Sequence, residues 1–149
     1  MKFTKIAMGA AVAASLLAGP ALAGSHGGKT TLRIQTHYAM DHPTGMIYQE
    51  WVDDVETMSD GSIDIEMFWA SSVVGSVETF DAAANGILDC DMTGGAYQTG
   101  KNPAFQFVGD IMGGYDTPYQ QLSWLYYGGG YDAAQDLYNA YGMQLIGWS

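Results

Sequence analysis

Apolar and polar positions alternate from Ser62 to Trp69. Ile63, Ile65, Met67 and Trp69 fall on one side and Asp64, Glu66 and Phe68 on the other, the pattern of a half-buried strand. A similar run from Thr31 to Thr36 predicts an earlier strand, and Leu88, Cys90 and Met92 predict a later one. Between the first two, Ile47, Trp51, Val55 and Met58 recur at helical spacing after Pro43, with Asp53, Asp54 and Glu56 on the wet side. Between the second and third, Ser76 is placed to cap a helix carrying Val77, Phe80 and Ala84, which Asn85-Gly86 ends. Strand, helix, strand, helix, strand predicts an α/β fold with a parallel sheet.

Past Tyr97 the pattern loosens. Thr99 to Asp116 reads as loop with one short strand near Phe105 to Val108. Thr117-Pro118 opens a helix with Leu122, Leu125 and Tyr126, and Gly128-Gly129-Gly130 breaks it. Tyr131 to Tyr141 reads as a further helix with Ala134, Leu137, Tyr138 and Tyr141 on one face, and Met143 to Trp148 as the start of a strand.

The first residues belong to another kind of segment. Lys2 and Lys5 precede an apolar run from Ile6 to Leu17, a Gly19-Pro20 break and Ala21-Leu22-Ala23, the anatomy of an export signal cut near Ala23. The run is too short to span a bilayer. Residues 1–23 are therefore read as a signal peptide for the general export route, 24–30 as a flexible leader and 31–149 as an α/β lobe.

Charge narrows the partners. The 149 residues carry a net charge of −11, and beyond the signal only Lys29, Arg33 and Lys101 stand against 16 acids. Such a surface repels nucleic acid and anionic lipid. The single cysteine, Cys90, excludes an internal disulfide and reads as core packing. No metalloprotease, P-loop, nucleophile-elbow or EF-hand pattern occurs. His37 and His42 share a loop without a third ligand, and Asp89 and Asp91 read as a solvated strand face.

If the strands are parallel, Thr36-His37, Ser71-Ser72 and Tyr97-Gln98 leave the sheet at one edge, where open α/β sheets hold ligands. The candidate substrate-binding residues are thus Tyr97, His37, Thr36, Ser72 and Gln98, walled by Tyr38, Met40 and Trp69. No catalytic residue and no metal ligand is assigned.

The stretch from Phe68 to Pro103, with its small-residue loop, Phe80-Asp81-Ala82, Asn85-Gly86-Ile87-Leu88-Asp89, Tyr97 and Gly100-Lys101-Asn102-Pro103, resembles the DctP-like solute-binding proteins of TRAP transporters. Trp124 to Gly130 adds to a likeness that runs from Leu32 to the last residue and favours the branch binding 2-oxo acids and similar small acids. The resemblance implies the first lobe of a two-lobe, type II-like periplasmic binding protein, an N-terminal fragment ending near the crossing to the second lobe. It implies a periplasmic receptor, not an enzyme, that delivers a 2-oxo or 2-hydroxy acid to small and large TRAP membrane subunits. It also implies that Tyr97 touches substrate. The carboxylate-clamping arginine would lie in the second lobe. So would the ligands of any Na+ or Ca2+ held with substrate, leaving this stretch without a cofactor, and homodimerisation would involve distal helices. Neither Arg33 nor Lys101 is expected to act as the clamp. A secreted carbohydrate-binding module and a secreted α/β enzyme are the alternatives.

Overall fold

In the computed structural model, residues 28–109 and 113–148 are described. The expected signal peptide, most of the leader and His26 lie outside them. Three parallel strands, β1 (Thr30–Thr36), β2 (Ile63–Phe68) and β3 (Cys90–Met92), form a sheet in the order β2-β1-β3. β1 is central: Ile34 pairs with Met67 on one side and Cys90 on the other. A helix α1 (Pro43–Met58) joins β1 to β2, and a 3-10 turn (Ser76–Glu78) running into α2 (Thr79–Ala84) joins β2 to β3. Two 3-10 turns (Gly95–Gln98 and Pro103–Phe105), α3 (Gln106–Gly109), α4 (Pro118–Tyr127) and α5 (Gly130–Asn139) follow.

The alternation in the strands builds two cores. Leu32 and Ile34 of β1, Ile63, Ile65 and Met67 of β2, and Cys90 and Met92 of β3 pack with Val52 and Val55 of α1. Cys90 is thus a packing residue, as its position suggested. Gln35 faces the opposite way and reaches Thr79 of α2. On that side Phe80, Phe105, Val108, Ala134 and Leu145 form the second core, with Leu137, Tyr138 and Tyr141 of the last helical face against it. Phe80, Phe105, Tyr138 and Tyr141 meet with ring centroids 5.2–5.9 Å apart, within the range of favourable aromatic contacts.

Helix α1 has the expected extent but another rotation. Tyr48 and Val52 are buried, whereas Ile47 and Met58 are 63% and 79% exposed and Trp51 is exposed too. Gly45 sets the phase. It lies against the backbone of Ala39 and Met40, so closely that a Cβ would run into the Ala39 carbonyl oxygen. With Gly45 turned to that loop, Tyr48 follows at helical spacing against Tyr38, and Val52 and Val55 onto the sheet. Glu56 is not a solvent residue either: its Oε1 accepts the Ile65 N–H at 2.9 Å.

Three further expectations change. Ser76 does not cap α2; Gly75 precedes the first turn, Glu78 Oε2 accepts the Gly75 N–H at 3.2 Å, and Ser76 Oγ pairs with Ser71 Oγ at 2.8 Å. The supposed strand at Phe105 to Val108 is helical. Asn102 Oδ1 accepts the Ala104 N–H at 2.9 Å, Pro103 occupies the first helical position, and Phe105 and Val108 share one buried face. Met143 to Trp148 forms no strand. Side chains meet its polar groups instead: Tyr131 Oη donates to the Leu145 carbonyl at 3.1 Å, and Trp148 Nε1 donates to the Val108 carbonyl at 2.8 Å.

Thr117 caps α4 through Oγ1 on the Gln120 N–H at 3.3 Å. Gly129, at φ 89°, makes the left-handed turn between α4 and α5 that the glycine run predicted. No described helix is long and apolar enough to cross a membrane.

Gly45→Ala is expected to destabilise the protein by about 1–3 kcal/mol, the range for forcing a methyl into a filled space. Urea unfolding measures it. An Ala variant of undiminished stability would show that the loop and α1 are not locked at this glycine.

Candidate functional site

All three strands run in one direction, so the segments after Thr36, Phe68 and Met92 emerge at one edge of the sheet. The first two are fastened together. The Ala70 N–H donates to the Tyr38 carbonyl at 2.8 Å, and the Ser71 N–H donates to the Thr36 carbonyl at 3.0 Å. Ala70 and Ser71 adopt φ of 52° and 55°, a left-handed conformation that costs a residue with a Cβ about 1 kcal/mol or more. The loop after β2 is also held from beneath. Gln35, fully buried, accepts the Val73 and Val74 N–H groups through Oε1 at 2.8 and 3.2 Å. Its Nε2 donates to the Val74 carbonyl at 2.9 Å and to Thr79 Oγ1 at 2.7 Å.

The five candidate residues divide by placement. His37 and Tyr97 come together, their rings edge to face with centroids 5.3 Å apart. His37 also packs on Tyr38 at 4.0 Å, and Tyr38 stacks on His42 at 4.7 Å. Tyr97 is exposed, and Ser72 is exposed on the neighbouring loop. Thr36 and Gln98 turn inward. Thr36 is fully buried and its Oγ1 accepts the Tyr38 N–H at 3.3 Å, shaping the loop. Gln98 is buried and its Nε2 donates to the Val77 carbonyl at 3.4 Å, tying the turn after β3 to the 3-10 turn that leads into α2. His42 Nδ1 accepts the Thr44 N–H at 3.1 Å and caps α1.

Among the described residues every lysine and arginine is engaged in an ion pair: Lys29 with Asp64 at 2.8 Å, Arg33 with Asp89 at 2.9 Å and Lys101 with Asp81 at 2.7 Å. Arg33 also donates to the Gly86 carbonyl at 3.1 Å. The partners hold Lys29 and Arg33 above, and Asp64 and Asp89 below, their ordinary pKa values. Hydrogen bonding is the first cause in each case. The edge therefore offers neutral donors. His37 is itself pushed below 6.5, first by burial and then by the charge of His42.

Asp89 and Asp91 do not share a solvated face. Asp91 is partly buried, and burial raises its carboxyl from 3.8 to about 6 against the opposing hydrogen bond from Thr93 Oγ1 at 2.7 Å. The same pocket raises Tyr138 to about 12, through burial and the nearness of Asp91. Sequence reasoning passed over Gln35 and placed Asp91 on a solvated face, because alternation alone does not say whether a polar strand face meets water or a second core.

A parallel sheet with polar and aromatic side chains gathered at its carboxyl edge is the α/β architecture in which ligands are held outside the strand ends. Residues 35–148 match the family described as bacterial extracellular solute-binding protein, family 7, and the chain belongs to it. A monocarboxylate 2-oxoacid-binding periplasmic protein of Nostoc sp. is 33% identical over 104 residues, 63% of this chain and 28% of the relative. The apo open structure of a TRAP periplasmic solute-binding protein from Rhodobacter sphaeroides matches with a TM-score of 0.74 at 29% identity, over 78% of this chain and 37% of that one. Another from Pseudoalteromonas atlantica, with bound sodium and pyruvate, matches with a TM-score of 0.71 at 26% identity, over 76% and 35%. The chain spans 28–37% of the length of these relatives.

The raised Asp91 carboxyl sets a sign for pH dependence. The unfolded chain releases this proton near 3.8 and the folded one near 6, so the contribution to stability is full below 3.8 and lost as pH rises through about 6. Relative to Asp91→Asn, the wild type should lose up to about 3 kcal/mol between pH 4 and 7 in denaturant titrations. His37, lowered in the fold, contributes in the opposite sense, above 6.5, and cancels in this comparison. Parallel pH profiles for the two proteins would show that Asp91 is not desolvated.

Proposed function

We propose that the chain is the first lobe of a TRAP-transporter receptor that captures a small organic acid in the periplasm and presents it to small and large membrane subunits. The observation that carries this is the strand-end edge itself, where His37 and Tyr97 meet while every described cation is committed to an acid. Such an edge can orient a polar ligand by hydrogen bonds and ring contacts, but it cannot neutralise a carboxylate. The opposing charge would come from an arginine in a second lobe closing over the first.

A 2-oxo or 2-hydroxy acid is the favoured class, in keeping with the Nostoc relative's name and the pyruvate in the Pseudoalteromonas protein. The sodium in that protein raises the question of a cation here. Among the described residues no group of three or more His, Cys, Asp or Glu side chains is placed to hold a metal ion. No step is assigned to it. We take residues 1–23 as a signal removed near Ala23, and the receptor as one that makes and breaks no bond.

Tyr97 is the exposed donor, offering a phenol to a ligand oxygen while its ring rests on His37. The test is a thermal-shift screen of the receptor expressed from its complete gene. Pyruvate, longer 2-oxo acids, lactate and sugars would be tried, each with and without sodium or calcium. Ligand at about a thousand times its Kd should add roughly 4 kcal/mol, a shift of several degrees. Tyr97→Phe should weaken binding about tenfold, the size of one lost hydrogen bond in a dry site. Stabilisation by a sugar and by no acid would overturn the reading.

A further inference from the structure

The two nitrogens of His37 are not equivalent. Nδ1 is sealed within the protein and has no hydrogen-bond partner among the described residues. The ring lies between those of Tyr38 and Tyr97, which cover it at 4.0 and 5.3 Å between centroids. A sealed nitrogen without an acceptor should not carry a hydrogen, because a buried unpaired N–H is costly, whereas a bare lone pair loses less. That fixes the neutral tautomer with its proton on Nε2.

The groups around the ring reinforce this. Tyr38, Tyr97 and, beyond Tyr38, Tyr48 contribute phenols, and the charge acting on His37 is that of the His42 imidazole. Among the described residues no carboxylate is a cause of its shift, so none favours an imidazolium. Protonation would place a second N–H at the sealed Nδ1 and a cation beside another histidine.

We propose that His37 is a specificity-determining residue that reads a neutral oxygen of the ligand, the 2-oxo group rather than the carboxylate, through its Nε2–H, the only ring N–H its sealed Nδ1 allows. This rests on the reading of the strand-end edge as a 2-oxo-acid site. A carboxylate against this imidazole would favour a proton that Nδ1 cannot place, whereas a keto oxygen asks only for a neutral donor. The two ends of the ligand are then told apart: a neutral donor for the oxo group in this lobe and a cation for the carboxylate elsewhere.

Two measurements on the full-length receptor test this. In a long-range nitrogen–proton NMR spectrum, His37 should show the Nε2–H tautomer at pH 7 and keep it when pyruvate is added. The Nδ1–H tautomer, or conversion to imidazolium on binding, would overturn the proposal. Calorimetry should then compare pyruvate with propionate, which keeps the carboxylate and lacks the oxo group. In His37→Phe, which retains a ring against Tyr38 and Tyr97, the preference for pyruvate should fall by about 10- to 100-fold. In His37→Gln, which retains an N–H donor, it should stay within a few-fold of wild type. An unchanged preference in His37→Phe, or an equal loss for both acids, marks a packing role and overturns it. Wild-type protein that binds neither pyruvate nor any other 2-oxo acid would refute the functional reading and this proposal with it.

Discussion

The side-chain amide of Gln35 is the junction on which the strand-end edge depends. A carboxamide can donate two hydrogen bonds and accept two, and all four are made: to the Val73 and Val74 N–H groups, to the Val74 carbonyl and to Thr79 Oγ1. The residue is sealed from water in the central strand, paired in register with Phe68 of β2 and Asp91 of β3. Its hydrogen bonds tie the loop after β2 and the first turn of α2 to β1, one residue before Thr36 and two before His37. In a buried setting these bonds are strong, and losing one partner would strand the others without water to replace it. The position of the strand-end loops is therefore decided inside the sheet.

Charge is organised by the opposite rule. The protein is strongly acidic, yet its described cations are each held by an acid at the surface and none is left unpaired to meet an anion at the strand-end edge. Exposed pairs of this kind stabilise a fold only slightly, but they fix where the positive charge is not. An anion approaching the edge meets donors without counter-charge, and salt screens the remote acids beyond about 8 Å at physiological ionic strength. Local geometry then governs recognition more than net charge does. His37, kept neutral by burial and by His42, belongs to the same scheme.

Much of this was legible in the chain. Alternation in Leu32–Ile34, Ile63–Met67 and Cys90–Met92 gave the three strands and one apolar side of each, because successive side chains point to opposite faces of a sheet. Pro43, Asn85-Gly86 and Thr117-Pro118 marked helix ends through chemistry that acts within one turn. What failed was what depends on distant contacts. The phase of α1 follows from Gly45 against the Ala39 carbonyl, a steric fact with no hydrophobic signature. Phe105 and Val108 fit a strand or a helix equally until Asn102 and Pro103 are seen to start a turn. Thr36 and Gln98 lie at the right edge by sequence, but their side chains turn into the protein, which position along a strand does not reveal.

The loop after β2 joins these lines. Ala70 and Ser71 hold a left-handed backbone that a glycine would adopt without strain. Side chains with a Cβ keep that shape because the surroundings over-determine it: two backbone hydrogen bonds to the Tyr38 and Thr36 carbonyls, the Ser71–Ser76 hydroxyl pair, and the Gln35 amide beneath. A glycine pair would remove the strain but enlarge the set of conformations available to the unfolded loop. Order in the free state lowers the entropy lost when a ligand binds. For the small ligand proposed for this edge, with few atoms to contact, that saving would be a large share of the attainable affinity, and a pre-set loop would serve it better than a relaxed one.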